Sequence, residues 1–181
     1  MIGRRSPAGV AAAAESFDGL RRMAGGGGEN TAALAMEAVI EHAELQSSIS
    51  LSSDDLAPRR ARSFTRTKLA EWDLDALADR VLLIVSELVT NACRHGRTKS
   101  EGMLEEITLT ISYQNAVVGI ELEDNSRQLP VPRKGPISAL DGRGLCLVAA
   151  EADAWTSRLN PDGTGKRVLA FLRWPSTPPA V

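Results

Sequence analysis

The period of the apolar residues changes along this chain, and each change marks an element. Leu74, Leu77, Ala78, Val81, Leu82, Val85, Leu88, Val89 and Ala92 recur at helical spacing, which predicts an amphipathic helix that starts at Asp73 or Asp75 and stops at Gly96. Upstream, Asp54 and Asp55 precede Pro58, a residue suited to a first helical turn, so a helix is expected to about Trp72. Before it, Ile49 and Leu51 alternate with serines as in a short strand. Past Gly96 the period drops to two. Ile107, Leu109, Ile111 and Tyr113 alternate with Thr108, Thr110 and Ser112, and Val118, Ile120 and Leu122 alternate with Gly119, Glu121 and Glu123. Two antiparallel strands joined at Gln114-Asn115 follow. A helix over Gly144 to Ala152, a strand near Ala154 to Leu159, a turn at Asn160-Pro161-Asp162-Gly163 and a strand from Lys166 to Phe171 complete the pattern. The order lacks the regular alternation that demands a parallel sheet.

The flanks read differently. Residues 1–30 are rich in Ala, Gly and Arg, with too few large apolar side chains to offset ordering entropy, and are expected to form a flexible tail. Thr31 suits the cap of a helix through about Gln46, peripheral to a compact domain over 48–174, with a short tail at 175–181. His42 falls in that first helix, followed by Ala43 and Ser47 where a phosphoacceptor histidine has an acidic residue and a Pro, so it reads as a solvated helix histidine. Between Asn125 and Asp141, Pro130, Pro132, Gly135 and Pro136 mark a long irregular loop, which in a compact domain is usually functional or disordered.

Composition narrows the class. A chain of 181 residues that is 43% apolar supports one sizeable core. With 21 Lys and Arg against 23 Asp and Glu, no overall field favours nucleic acid or an anionic membrane. Cys93 and Cys146 lack metal-ligand spacing and read as free, buried thiols of a reducing cytosol. No apolar run approaches the roughly 20 residues that span a bilayer, and a cytoplasmic protein is expected.

Candidate chemistry gathers at four places. Glu87, Asn91 and His95 lie at i, i+4 and i+8 along the border of the helical stripe, where a carboxylate and an amide can coordinate a cation or orient a water, or simply form a polar helix edge. Asp124, at a strand end and followed by Asn125, Ser126 and Pro130, can accept from an exocyclic amine or close an Asx-turn. Gly142-Arg143-Gly144 opens a helix whose N–H groups and dipole suit an anion such as phosphate. Gly163-Thr164-Gly165-Lys166 reads as a hairpin turn before a phosphate cradle, because it lacks the earlier glycine spacing.

In this order, Glu87-x-x-x-Asn91, Asp124-x-Ser126-x-x-x-Pro130, Gly142-Arg143-Gly144-Leu145 and Gly163-Thr164-Gly165-Lys166 resemble the N, G1, G2 and G3 boxes of the Bergerat-fold (GHKL) ATPases. The likeness is greatest to the anti-sigma-factor serine kinase branch, including the small ATP-binding regulators of actinobacteria. It covers roughly Ile49 to Trp174, and Ser86 through Gly96 is its most specific stretch.

The resemblance implies an α+β fold, a two-layer sandwich in which helices pack on one face of a mixed, mainly antiparallel sheet, with ATP held under a mobile lid. By the same resemblance Asn91 binds Mg²⁺, Glu87 is the general base and Asp124 accepts from the adenine amine. Gly142 and Gly144 let the lid and its helix approach the phosphates, and Thr164 supports the adenine end. His95 stabilises its helix end, and Arg133, Lys134 and Arg143 are additional phosphate neighbours. The implied partners are a sigma factor and an antagonist protein, with ATP and Mg²⁺ as cofactors, and the kinase branch commonly dimerises. One departure stands out: a strict kinase carries Asp-x-Gly-x-Gly, whereas Ser126 and Gln128 fill the glycine positions here. That loop puts transfer activity in question more than ATP binding. An ATP-gated partner-switching module without transfer activity, and the catalytic part of a split histidine kinase, are therefore the alternatives.

Overall fold

The computed structural model describes residues 40, 43–95, 105–114, 116–130 and 144–173. Strand β1 (Leu45–Ser52) leads into helix α1 (Ala57–Glu71). Asp54 accepts from the Leu56 N–H at 2.9 Å and pairs with Arg60 at 3.2 Å just before α1, and Pro58 takes the first turn as the sequence predicts. The buried residues of α1, Ala57, Ala61, Thr65 and Leu69, recur every four positions, and three of them are small. That narrow stripe suits close packing on the next helix. Arg59, Arg60, Arg62 and Arg66 are exposed, a solvated face.

Asp73 ends α1 rather than starting the following helix. It holds φ 57°, and the Leu74 N–H returns to the Leu69 carbonyl at 2.8 Å, a left-handed closure that satisfies a terminal carbonyl. Asp75 opens a 3-10 turn (Asp75–Leu77), and α2 (Ala78–His95) follows. Val81, Leu82, Ile84, Val85, Leu88, Val89 and Ala92 are its buried side, the stripe expected from spacing with Ile84 added.

Strands β2 (Glu106–Gln114) and β3 (Val117–Asp124) form the predicted hairpin, and helix α3 (Gly144–Glu151), β4 (Ala154–Leu159) and β5 (Lys166–Arg173) close the chain. The five strands order as β1-β2-β3-β5-β4, and every pairing among the described residues is antiparallel. Alternation sorts the sheet into two faces. Leu51, Ile107, Leu109, Ile111, Val118, Ile120, Leu122, Val168, Ala170 and Leu172 share one core with residues of all three helices. Burial of these aliphatic side chains is the main stabilising term. The fold is thus α+β, with the helices layered on one side of the sheet.

Two expectations change. The helix expected through about Gln46 has ended by Ala43, because Leu45 pairs with Tyr113 and Gln46 with Ser112 at the start of β1. Residues 31–39 and His42 lie outside the described residues. Ile40 is helical and only 3% exposed, packed on the other face of the sheet with Val117, Ala154, Leu169 and Phe171. That second apolar cluster ties the segment before β1 to the sheet. Cys146 is exposed and Cys93 half-buried, since α3 turns Cys146, Leu147, Ala149 and Ala150 outward and buries Val148. No helix among the described residues is long and apolar enough to cross a membrane.

Candidate functional site

The buried stripe of α2 fixes the rotation of that helix, and rotation decides where Glu87 and Asn91 stand. Both are half-buried at the border of the stripe. The neighbouring Ser86 hydroxyl donates to the Leu82 carbonyl at 2.7 Å and accepts from Arg62 at 3.4 Å, which links α2 to α1 just beside Glu87.

Helix α3 brings its first residue to the same place. A Cβ built on Gly144 would stand 2.6 Å from Glu87 Oε2, 3.2 Å from Asn91 Nδ2 and 3.4 Å from Asn91 Oδ1. A larger residue there would have to displace the Glu87 side chain, so with glycine in place a carboxylate, an amide and a helix N-terminus converge. Two contacts hold α3 there. Val148 is fully buried in the main core, and Arg80 of α2 donates to the Glu151 carbonyl while its guanidinium lies 3.5 Å from both Glu151 and Asp153. Gly142, with Arg143, Arg133 and Lys134, lies outside the described residues.

Asp124 terminates β3 on the helix-facing side of the sheet, one step beyond Leu122, and is 3% exposed. Its Oδ1 accepts the Ser126 N–H at 2.8 Å, which is the Asx-turn anticipated as one alternative. The same oxygen accepts Lys166 Nζ at 2.7 Å. Lys166 is 5% exposed and sits directly across the ladder from Asp124. Gly165 makes this possible: a Cβ there would collide with the Asp124 carbonyl. Sequence reasoning passed over Lys166 as part of a turn. The signal was its parity, since it shares a face with Val168, Ala170 and Leu172, where a lysine is buried only with a partner.

The loop after Asp124 answers the missing glycines. Among the described residues only Asp73 and Ala116 are non-glycine residues with positive φ, so neither Ser126 nor Gln128 occupies a backbone conformation that glycine alone favours. Ser126, 7% exposed, accepts the Gln128 N–H on its hydroxyl at 3.1 Å, so side chain-to-backbone bonds shape the loop.

Thr164 is exposed and bound within its own turn. Its N–H and hydroxyl reach Asp162 Oδ1 at 3.0 and 2.6 Å. The hydroxyl bond, followed by the backbone one, holds the Asp162 carboxyl below its ordinary value. The hairpin reading of 163–166 therefore describes Thr164, while Gly165 and Lys166 face Asp124. His95 is exposed at the end of α2.

Residues 51–170 match the family described as the histidine kinase-like ATPase domain. The chain belongs to this family. Membership makes it an ATP-binding domain of the ATPase type, and the match runs from the end of β1 into β5. Among solved structures, the RsbU and RsbW domains of Rv1364c from Mycobacterium tuberculosis are similar at 20% identity and TM-score 0.50, over 71% of this chain and 32% of that one. At that identity the likeness concerns the fold, and this chain spans about a third of that protein's length. The histidine kinase domain of a blue-light activated histidine kinase from Erythrobacter litoralis aligns at 18% identity and TM-score 0.40, over 92% of this chain and 91% of that one. No curated protein matches the chain by sequence.

Proposed function

We propose that the chain is an ATP-dependent serine/threonine protein kinase of the anti-sigma-factor type, which transfers the ATP γ-phosphate to a serine of a small antagonist protein and thereby controls who holds a sigma factor. The convergence of Glu87 Oε2, the Asn91 amide and Gly144 supports this most directly. Phosphoryl transfer needs positioning, charge neutralisation and a base, and these three residues offer each.

The donor set suits Mg²⁺. Asn91 offers a hard amide oxygen beside the Glu87 carboxylate at the start of α3. When bound, Mg²⁺ supplies neutralisation of phosphate charge. Asn91 would hold it, and backbone N–H groups at the start of α3 would face the phosphates. The Glu87 carboxylate takes the proton of the seryl hydroxyl as that oxygen attacks the γ-phosphorus, and ADP departs with the electrons of the broken P–O bond. Asp124 accepts from the adenine amine. Gly142 serves the lid, and Thr164 supports the adenine end by exchanging its bond to Asp162.

Incubation with labelled ATP, Mg²⁺ and a candidate antagonist is expected to give acid-stable phosphoserine, and Glu87→Ala is expected to lose it while still binding ATP. Labelling that persists in Glu87→Ala would remove Glu87 from the chemistry. A second reading, an ATP-gated partner-switching module without transfer, is favoured by the hydrogen-bonded loop at Ser126 and Gln128 in place of two glycines. ATP binding with no phosphate on any partner selects it. Acid-labile phosphate on a partner histidine would instead select a split histidine kinase.

A further inference from the structure

The ion pair between Asp124 and Lys166 stands where apolar residues would also pack. One rung along the same face of the same ladder, Leu122 stands opposite Val168, and both are buried in the main core. Apolar residues thus suit this part of the sheet, and replacing a buried ion pair with apolar residues is often neutral or stabilising. A lysine and an aspartate, each about 95% buried or more, carry a desolvation cost there that an apolar pair would not.

The geometry of the pair points to its use. Lys166 Nζ and the Ser126 N–H both fall on Asp124 Oδ1, at 2.7 and 2.8 Å. No hydrogen bond from the described residues reaches Oδ2. Two donors on one oxygen fix the plane of the carboxylate and leave the other oxygen as a single oriented acceptor.

We propose that Lys166 is a positioning residue that sets nucleobase selectivity: by pinning Asp124 through Oδ1 it presents Oδ2 to a base carrying an exocyclic amine and refuses one carrying a carbonyl at that position. This rests on the reading of Asp124 as the adenine acceptor. A base with a carbonyl would set an acceptor against an acceptor, and a site built around a hydrogen bond rejects the analogue that lacks its partner.

ATP and ITP, which differ by that amine and carbonyl, are the probes, with affinities measured by calorimetry on the full chain. Wild type is expected to prefer ATP. Lys166→Met is expected to narrow the ATP/ITP ratio by about tenfold or more, through weaker ATP and unchanged or stronger ITP binding, and Lys166→Arg to restore most of it. A ratio that is unchanged in a folded Lys166→Met overturns the role of Lys166 while leaving the ATP site intact. Wild type that binds neither nucleotide, or both equally, defeats the reading of Asp124 itself. If Lys166→Met does not fold, the wild-type chain still decides. With ¹⁵N-labelled lysine, the Lys166 ammonium signal is expected to shift on adding ATP and much less on adding ITP at matched saturation, and equal shifts would overturn the proposal.

Discussion

Gly144 and Glu87 approach so closely that a methyl group on the glycine would stand 2.6 Å from the glutamate Oε2. Gly144→Ala is therefore expected to push Glu87 or the start of α3 aside. Displacement of a catalytic group by about 1 Å costs on the order of a hundredfold in rate. Phosphotransfer should fall by that much, with a change in Tm of only a few degrees, because α3 stays held by Val148 and Arg80. A Gly144→Ala variant with wild-type kinetics would place the chemistry elsewhere.

Gly165 is tight for a different reason, its contact being with the backbone of Asp124 rather than with a side chain. Gly165→Ala is expected to destabilise by about 2 kcal/mol or more, since no rotamer can relieve a clash with a carbonyl. Chemical denaturation measures it, and a loss below about 0.5 kcal/mol would mean that β5 slides freely at this end.

Ala116 holds φ 63° in the turn between β2 and β3. A non-glycine residue in the left-handed region costs roughly 1–2 kcal/mol, so Ala116→Gly should raise stability by up to about 1 kcal/mol after the added entropy of the unfolded glycine is counted. A lower denaturation midpoint would contradict this.

The Asp162 carboxyl is held low chiefly by the Thr164 hydroxyl. Its contribution to stability is present above the unfolded-chain value and fades as pH falls through the lower folded value. In Thr164→Ala the Asp162 titration, followed by NMR, should move up toward the ordinary carboxylate range. An unmoved titration would mean that the hydroxyl bond is not formed in solution.

The positions of Glu87, Asn91 and Gly144 were legible because each sits where local rules apply. Glu87 and Asn91 follow from helical spacing beside an apolar stripe, and Gly144 from its place at a helix start. What escaped depends on contacts distant in sequence. Leu45 looks like one more apolar residue of an Ala-rich helix until Tyr113 pairs with it, and nothing local announces that Ile40 will meet Phe171. Lys166 shares the parity of Val168 in the sequence, but its partner Asp124 is visible only once β5 is placed beside β3. Ile40→Ala tests the second of these: a loss of about 2–4 kcal/mol is expected for a buried isoleucine, and a negligible loss would show that the cluster with Phe171 does not bear on stability.

The most direct measurement is a calorimetric titration of ATP, with and without Mg²⁺, into the wild-type chain and into Asp124→Asn and Asn91→Ala. One ATP per chain is expected in wild type, strengthened by Mg²⁺. Affinity should be about tenfold or more weaker in Asp124→Asn, and the Mg²⁺ enhancement should be lost in Asn91→Ala. No binding to wild type, or binding indifferent to both substitutions, would contradict an ATP site built on Asp124, Asn91, Glu87 and Gly144.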